Sequence, residues 1–306
     1  MRNLLVITAL FFVQLNAISQ SRNRQDWIDF GSSHINKWLQ IAPAKLGPNA
    51  LPVPEMDYAQ IGKASKLEAG VHSHFMKGDT AVNSFLNIHW VVVPEKVEIS
   101  FWGYPGETFR MTNEVRNDRQ IFYDDEGWIT SQGDLWISTR IQLLKNRKTF
   151  PDITLNYTFK NTTGHPKHGR YSDAGTTYFY AAFGKSFFPE NFFVDEIRLA
   201  GMAGYYIWQT NKVEMAQDEG PLFEAGIRLV HKKVSFINEI GGYSGYDAYE
   251  YIGITGNNDP VVYRLKFLLT GKKIDWKGEF MTGLHDYHYN TFKLNVIYKL
   301  SSFKNN

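Results

Sequence analysis

The sequence predicts an all-β fold, an antiparallel transmembrane β-barrel of about twelve strands. Apolar and polar residues alternate in successive blocks from residue 65 to residue 301. A strand with period two places these two sets on opposite faces. An export signal precedes the blocks, and the polar set contains many charged residues. We therefore expect lipid on the outside of the barrel and a polar lumen on the inside.

Residues 1–19 are predicted to be a signal peptide. Arg2 is positively charged, Leu4–Val13 is apolar, and Ala17-Ile18-Ser19 fits a cleavage site between small residues. The apolar run is shorter than the roughly 20 residues that a transmembrane helix requires. The chain contains no cysteine, so the exported protein is expected to fold without disulfides. The predicted location is the outer membrane of a Gram-negative cell.

Residues 20–64 differ from the rest and are predicted to form a proline-rich periplasmic lead-in or plug. Pro43, Pro48, Pro52 and Pro54 prevent regular secondary structure in this segment. Two alternatives stay open. The segment either is an ordered approach to the first strand, or it enters and covers the periplasmic mouth of the barrel that spans residues 65–301.

The barrel region contains twelve strand candidates, and counts of ten or fourteen also fit the pattern. In Asp152–Lys160, the clearest example, every second residue is apolar. The candidates are Ser65–Lys77, Ser84–Val93, Lys96–Tyr104, Asp134–Lys145, Asp152–Thr162, Thr176–Phe187, Ile197–Thr210, Leu222–His231, Val234–Tyr243, Val261–Thr270, Ile274–Leu284 and Thr291–Leu300.

The connections between these candidates are short and long in alternation. Pro94-Glu95 and Lys232-Lys233 are short, whereas Pro105–Gly133 and Ser244–Pro260 are long. Short periplasmic turns and longer external loops are typical of outer-membrane barrels. An even number of strands and two periplasmic termini follow from this alternation. A soluble β-sandwich, the alternative for an alternating pattern, is disfavoured because no second sheet pattern is evident.

The polar faces of the strands predict the residues of the lumen. Cationic residues outnumber carboxylates in this set, which favours small polar or anionic solutes. The alternative is that these charges neutralise one another between neighbouring strands. The predicted lumen-lining residues are Glu68, His72, His74, Asn87, His89, Glu98, Trp136, Arg140, Lys160, Arg198, Glu224, Arg228, Glu239, Arg264, Lys266, Lys277, Glu279 and Lys293.

The sequence predicts no catalytic residue, no cofactor and no metal site. In His72-Ser73-His74, alternation places Ser73 on the face opposite to both histidines, so neither can act as its base. Asp124-Asp125-Glu126 is an acidic cluster that could bind Ca²⁺ weakly, although a solvated loop is the simpler interpretation. The formal net charge of +2 indicates no nucleic-acid partner.

One stretch resembles a known family. Gly133-Asp134-Leu135 is followed by Ser138–Leu144, and Pro151–Thr163 ends in Thr163-Gly164. These elements resemble the barrel family named for the meta-pathway of phenol degradation, and the whole chain is similar to outer-membrane barrels of Bacteroidota. The resemblance implies an outer-membrane barrel linked to uptake of small molecules. It implies no binding or catalytic residue.

The predicted function is that of an outer-membrane channel or transporter for small molecules. Its expected partners are outer-membrane lipid and small polar or anionic solutes. The alternative is a non-catalytic structural or partner-binding barrel within an envelope assembly.

Overall fold

The computed structural model describes residues 39–121, 127–210, 217–246 and 258–300. The predicted signal peptide, residues 20–38 of the lead-in and the acidic Asp124–Glu126 cluster lie outside the described residues. No helix within those ranges is long and apolar enough to cross a membrane. The elements are β1 Lys66–Met76, β2 Asp79–Val93, β3 Val97–Gly103, β4 Glu107–Met111, α1 Asn113–Asp118, β5 Ile129–Ser131, β6 Leu135–Leu144, β7 Asp152–Asn161, a 3-10 turn Pro166–His168, β8 Thr176–Phe187, β9 Glu196–Gln209, β10 Gln217–His231, β11 Val234–Tyr243, β12 Val261–Leu269, β13 Ile274–His285 and β14 Asn290–Lys299.

Twelve of the described strands form a closed antiparallel barrel, which confirms the predicted fold class. β1 closes it by pairing with β14 on one side and with β2 on the other. Leu67, for example, lies opposite both Tyr298 and Ile88. The remaining barrel strands pair with their neighbours in chain order, with β3 next to β6. Closure gives each of these twelve strands a partner on both sides.

β4 and β5 lie outside the twelve and were not predicted. The first part of β2 extends past β3 and pairs with β4, with Asp79 opposite Met111. β5 then pairs with β4. The sequence gives little sign of them, because β4 alternates over five residues and β5 over three. The connection predicted as a long loop between β3 and β6 is therefore a small folded flap.

The outer face of the barrel carries a band of exposed apolar side chains. Tyr157 is 53% exposed, Phe179 46% and Leu294 59%. A soluble protein seldom exposes so large a continuous apolar surface. Asn238 of β11 is a polar side chain on this face, while its neighbour Ile237 is buried inside. The Oδ1 atom of Asn238 accepts a hydrogen bond from the Tyr263 hydroxyl at 2.5 Å. That bond reduces the cost of a polar group facing lipid.

The two ends of the barrel differ. One end, here called the short-turn end, carries connections such as Lys232-Lys233 and the chain entry into β1. The other, here called the long-loop end, carries the flap, the connection that contains the 3-10 turn, and Tyr287–Tyr289 between β13 and β14.

Candidate functional site in the barrel lumen

The chain between residues 39 and 64, here called the lumen segment, runs inside the barrel from the long-loop end to the short-turn end. At the long-loop end, the Gly47 amide donates to the carbonyl of Gly169 at 2.9 Å. At the short-turn end, the Ile61 amide donates to Gln142 Oε1 at 2.9 Å. Most side chains between these points are buried. The segment therefore fills space that an open pore would leave to water.

Wall side chains hold the backbone of the lumen segment. Its four prolines have no amide hydrogen, so the segment cannot pair with the wall as a regular strand. Its carbonyl groups would lack partners without donors from the barrel. These donors are Trp208 for the carbonyl of Ile41, Lys160 for Ala50, Tyr243 for Leu51, Arg264 for Val53, Arg198 for Tyr58, Gln142 for Ala59 and Lys145 for Ile61.

Aromatic side chains line the inner wall toward the long-loop end. Trp102 stacks on Trp136 with ring centroids 4.9 Å apart, and Tyr206 stacks on Tyr243 at 3.9 Å. Tyr178 joins the two pairs by contacting both Trp136 and Tyr206. Apolar residues of the lumen segment, including Ile41, Leu46, Ala50 and Leu51, belong to the same buried cluster. This half of the lumen is packed as a hydrophobic core.

The middle of the lumen contains a cluster of charges centred on Glu55. The Nζ atoms of Lys293, Lys266 and Lys277 lie 3.1, 3.2 and 3.5 Å from its carboxylate oxygens. Each lysine also contacts a glutamate of the wall. Lys266 lies 2.8 Å from Glu239, Lys277 lies 2.8 Å from Glu68, and Lys293 lies 2.7 Å from Glu279. These lysines come from β12, β13 and β14, so the lumen segment adds one carboxylate to charge pairs that the wall forms by itself.

A second set of charges lies on the opposite wall. Asp57 of the lumen segment accepts hydrogen bonds from Arg140 at 2.5 and 3.0 Å and from Thr154 at 2.9 Å. Arg140 also donates to Glu98 at 3.1 Å, and Glu98 lies 3.4 Å from His89. Glu55 and Asp57 therefore bind opposite sides of the barrel and fix the segment between them.

The short-turn end is held by further ion pairs. Arg198 donates to Asp152 at 2.7 Å and to the carbonyl of Tyr58 at 2.8 Å. Arg228 pairs with Glu196 at 3.1 Å. Lys145 joins Glu95 at 3.0 Å to the carbonyl of Ile61 at 2.9 Å. At this end too, the lumen segment contacts several strands at once.

The long-loop end is closed by a buried charged cluster, here called the cap cluster. Arg170 donates to both Asp79 and Glu107, and all three side chains are inaccessible to solvent. Arg119 donates to the same Asp79 at 2.9 Å. Burial raises the pKa of Tyr289 to about 12, so its hydroxyl stays protonated and donates to Asp79 at 2.5 Å. The cluster connects the start of β2 to the flap, to Arg119 after α1 and to the two loops that contain Arg170 and Tyr289. Together these parts cover the long-loop end of the barrel.

All eighteen residues predicted to line the lumen lie on the inner face of the barrel. Eight contact the lumen segment directly, eight contact other wall groups, Trp136 stacks on Trp102, and Asn87 borders a cavity. The eight in contact with the segment are Arg140, Lys160, Arg198, Arg228, Arg264, Lys266, Lys277 and Lys293. The wall-bound set is Glu68, His72, His74, His89, Glu98, Glu224, Glu239 and Glu279. That these residues line a path for a solute stays a prediction.

Sequence reasoning missed some of the acidic partners of these residues, among them Glu55, Asp57, Asp152 and Glu196. Glu55 and Asp57 lie in an irregular segment with no periodicity to assign them a face. Asp152 and Glu196 stand at the first positions of β7 and β9. One signal was present in the sequence. Glu55 and Asp57 are separated by a single residue directly after Pro54, and two carboxylates so close together indicate that this segment meets cations.

A cavity of about 360 Å³ remains beside the lumen segment. Its walls include Phe85, Trp102 and Tyr104 on one side and Glu55, Lys277 and Lys293 on another. His72 and Asn87 also border it, and His72 Nδ1 and Asn87 Oδ1 have no hydrogen-bond partner within the described residues. The lumen segment therefore leaves part of the lumen unfilled, and this space is lined by both aromatic and charged groups.

Comparison with known proteins supports the fold. An outer membrane channel from Pseudomonas putida F1 superimposes with a TM-score of 0.53 at 11% identity, covering 81% of this chain and 100% of that chain. The KdgM porin in complex with oligogalacturonate (TM-score 0.46, 10% identity, 76% and 99% coverage) and the NalP translocator domain from Neisseria meningitidis (0.43, 9%, 78% and 89%) are more distant. No protein-family model matches the sequence, and no curated protein matches it. The chain has the fold of an outer-membrane β-barrel.

Proposed function

We propose that this protein is an outer-membrane channel for small polar or anionic solutes, closed in its resting state by the lumen segment. One observation carries the proposal: between residues 50 and 61, polar and charged side chains of the wall bind carbonyl groups and both carboxylates of the segment. Such contacts can be exchanged for water, unlike the fully apolar packing of a permanent core. A channel that opens by loosening this segment would expose a charged lumen.

The supporting geometry lies at Glu55 and Asp57. Both carboxylates are held by cations whose other partners belong to the wall. When the segment moves, Lys266, Lys277 and Lys293 keep Glu239, Glu68 and Glu279 as partners, so no bare charge remains. The electrostatic cost of moving the segment out of its position is therefore lower than it would be if the lysines lost all their partners. The Bacteroidota-type and meta-pathway resemblances fit this proposal and specify no solute.

Solute flux through proteoliposomes tests the proposal. The full chain and a variant lacking residues 20–54 are inserted, and swelling is followed with a size series of sugars and organic acids. We expect slow swelling with the full chain and faster swelling with the variant for solutes below a size limit. A semi-native gel that distinguishes folded from unfolded barrels is the control for insertion.

A second candidate is a permanently closed structural barrel of an envelope assembly. The cap cluster favours it, because its buried charges form a second closure at the long-loop end. The lumen segment is joined to that closure by the hydrogen bond from Asn49 to Glu107 at 3.2 Å. Folded barrels that remain impermeable to every solute, with and without residues 20–54, would support this candidate and exclude the channel.

A further inference from the structure

Three ammonium groups surround one carboxylate in the middle of the lumen. Lys266, Lys277 and Lys293 reach Glu55 from three successive strands, at 3.2, 3.5 and 3.1 Å. Their contacts with the wall glutamates are shorter, between 2.7 and 2.8 Å. An ammonium group has three N–H donors. Each ammonium group is therefore shared between the wall, where it forms an ion pair with a glutamate, and the lumen, where it donates a hydrogen bond to the Glu55 carboxylate.

The segment is also held on both sides of Glu55 by contacts that do not involve the three lysines. The carbonyl of Val53 accepts a hydrogen bond from Arg264 at 2.7 Å, and Asp57 is bound by Arg140. The Glu55 side chain itself is 42% exposed and borders the 360 Å³ cavity. The carboxylate is thus presented to the lysines at the edge of an open space, where a dissolved anion could compete with it.

The cavity offers complementary groups for the rest of such an anion. Its volume is at the lower end of the range for small-molecule sites, about 300–1,000 Å³. Phe85 and Tyr104 supply an apolar wall. His72 Nδ1 and Asn87 Oδ1 have no partner in the described chain. Because His72 Nε2 donates to Asn295 Oδ1, both unpartnered atoms are acceptors, and they suit a hydroxyl group on the body of the acid rather than its carboxylate. Buried polar atoms without partners are uncommon in a finished core and point to a ligand or water.

We propose that Lys266, Lys277 and Lys293 form a binding site for the carboxylate of a small organic acid, and that Glu55 occupies this site as a tethered competitor. The carboxylate of the solute would replace that of Glu55, and its body would rest between Phe85 and Tyr104. The proposal rests on the proposed function, because a solute reaches this site only when the lumen segment moves away from the wall. It also names the solute class that the charge pattern alone left open.

Chemical rescue of an emptied site tests this inference. In the full-length Glu55→Ala variant, thermal unfolding in detergent is measured against rising sodium acetate. Acetamide with sodium chloride at equal ionic strength is the matched neutral control. We expect a saturable rise of the unfolding temperature with acetate and none with acetamide. Wild-type protein should respond to neither, because Glu55 already fills the site.

Two further variants locate the response. Adding Lys293→Met to Glu55→Ala removes one of three charge-assisted hydrogen bonds and should weaken the acetate response about tenfold or more. Glu95→Ala removes a carboxylate from the short-turn end, outside the cavity, and should give no response. Equal effects of acetate and acetamide in folded Glu55→Ala, or an undiminished response without Lys293, would overturn the inference.

Folding failure is also informative. If Glu55→Ala folds only when acetate is present, the site is supported. If it folds under neither condition, Glu55→Gln keeps the volume without the charge, and the absence of any acetate-specific stabilisation there would overturn the inference. Because the measurement is of stability, it can succeed even if the barrel conducts nothing, and it can fail while the channel proposal stands.

Discussion

Gly184 is the point at which one methyl group should loosen the lumen segment. This glycine lies on the inner face of β8. A Cβ atom there would stand 2.7 Å from the carbonyl oxygen of Tyr58 and 2.5 Å from Nη2 of Arg198. Carbon atoms normally keep about 3.5 Å or more from such neighbours. In Gly184→Ala, the segment or the guanidinium must therefore move.

The size of the effect follows from the contacts that this movement breaks. Arg198 donates to the carbonyl of Tyr58 at 2.9 and 2.8 Å. A hydrogen bond to a charged group contributes about 1.5–3 kcal/mol. Loss of the equivalent of one such bond shifts the balance between bound and released segment by roughly 10- to 140-fold. The wall itself should remain intact, since β8 keeps its backbone pairs with β7 and β9.

The assay is the fraction of time that single barrels conduct in planar bilayers. Gly184→Ala should raise that fraction by the factor above, up to saturation. Gly278→Ala is the matched control, because a Cβ at Gly278 meets nothing within 4 Å. If both variants form folded barrels and conduct for the same fraction of time as wild type, the contact at Tyr58 does not hold the barrel closed, and the reasoning fails.

Other predictions concern the cap cluster and the outer face. Arg170→Met leaves Asp79 and Glu107 buried without their shared cation and should lower the free energy of unfolding by about 3–5 kcal/mol in urea titrations; a change within 1 kcal/mol would contradict the buried cluster. Leu155→Arg places a charge on the lipid face of β7 and should cost about 2–4 kcal/mol when folding into lipid vesicles is measured. Leu155→Met should stay within about 1.5 kcal/mol; an equal loss in both variants would show that the site does not face lipid.

The barrel could be predicted because its physical cause is local. In β7, each apolar residue is followed by a polar one. The face on which a side chain lies depends only on this alternation along the strand. The same rule places Lys266 and Glu279 on the polar face of their strands, and in the structure both side chains are buried inside the barrel and contact each other. It failed for β4 and β5, where five and three residues are too few to distinguish alternation from chance.

The candidate site could be predicted only in part. The lysines of β12, β13 and β14 were placed in the lumen, but their convergence on one carboxylate depends on strand register and on a distant segment. Glu55 is separated from Lys293 by 238 positions and lies among prolines. No periodic pattern connects such residues. The cap cluster was missed for the same reason. Arg170 lies in the loop between β7 and β8, and Asp79 is the first residue of β2, so no local pattern connects them.

The current through single barrels with and without residues 20–54 tests the central claim most directly. Full-length protein and the deletion variant are inserted into planar bilayers from preparations verified as folded, and their unitary conductances are compared in the same salt. The account predicts that removing most of the lumen segment raises the conductance severalfold, since the aromatic half of the lumen then opens to water. Equal conductance of the two folded barrels would contradict it and show that the segment does not close the lumen.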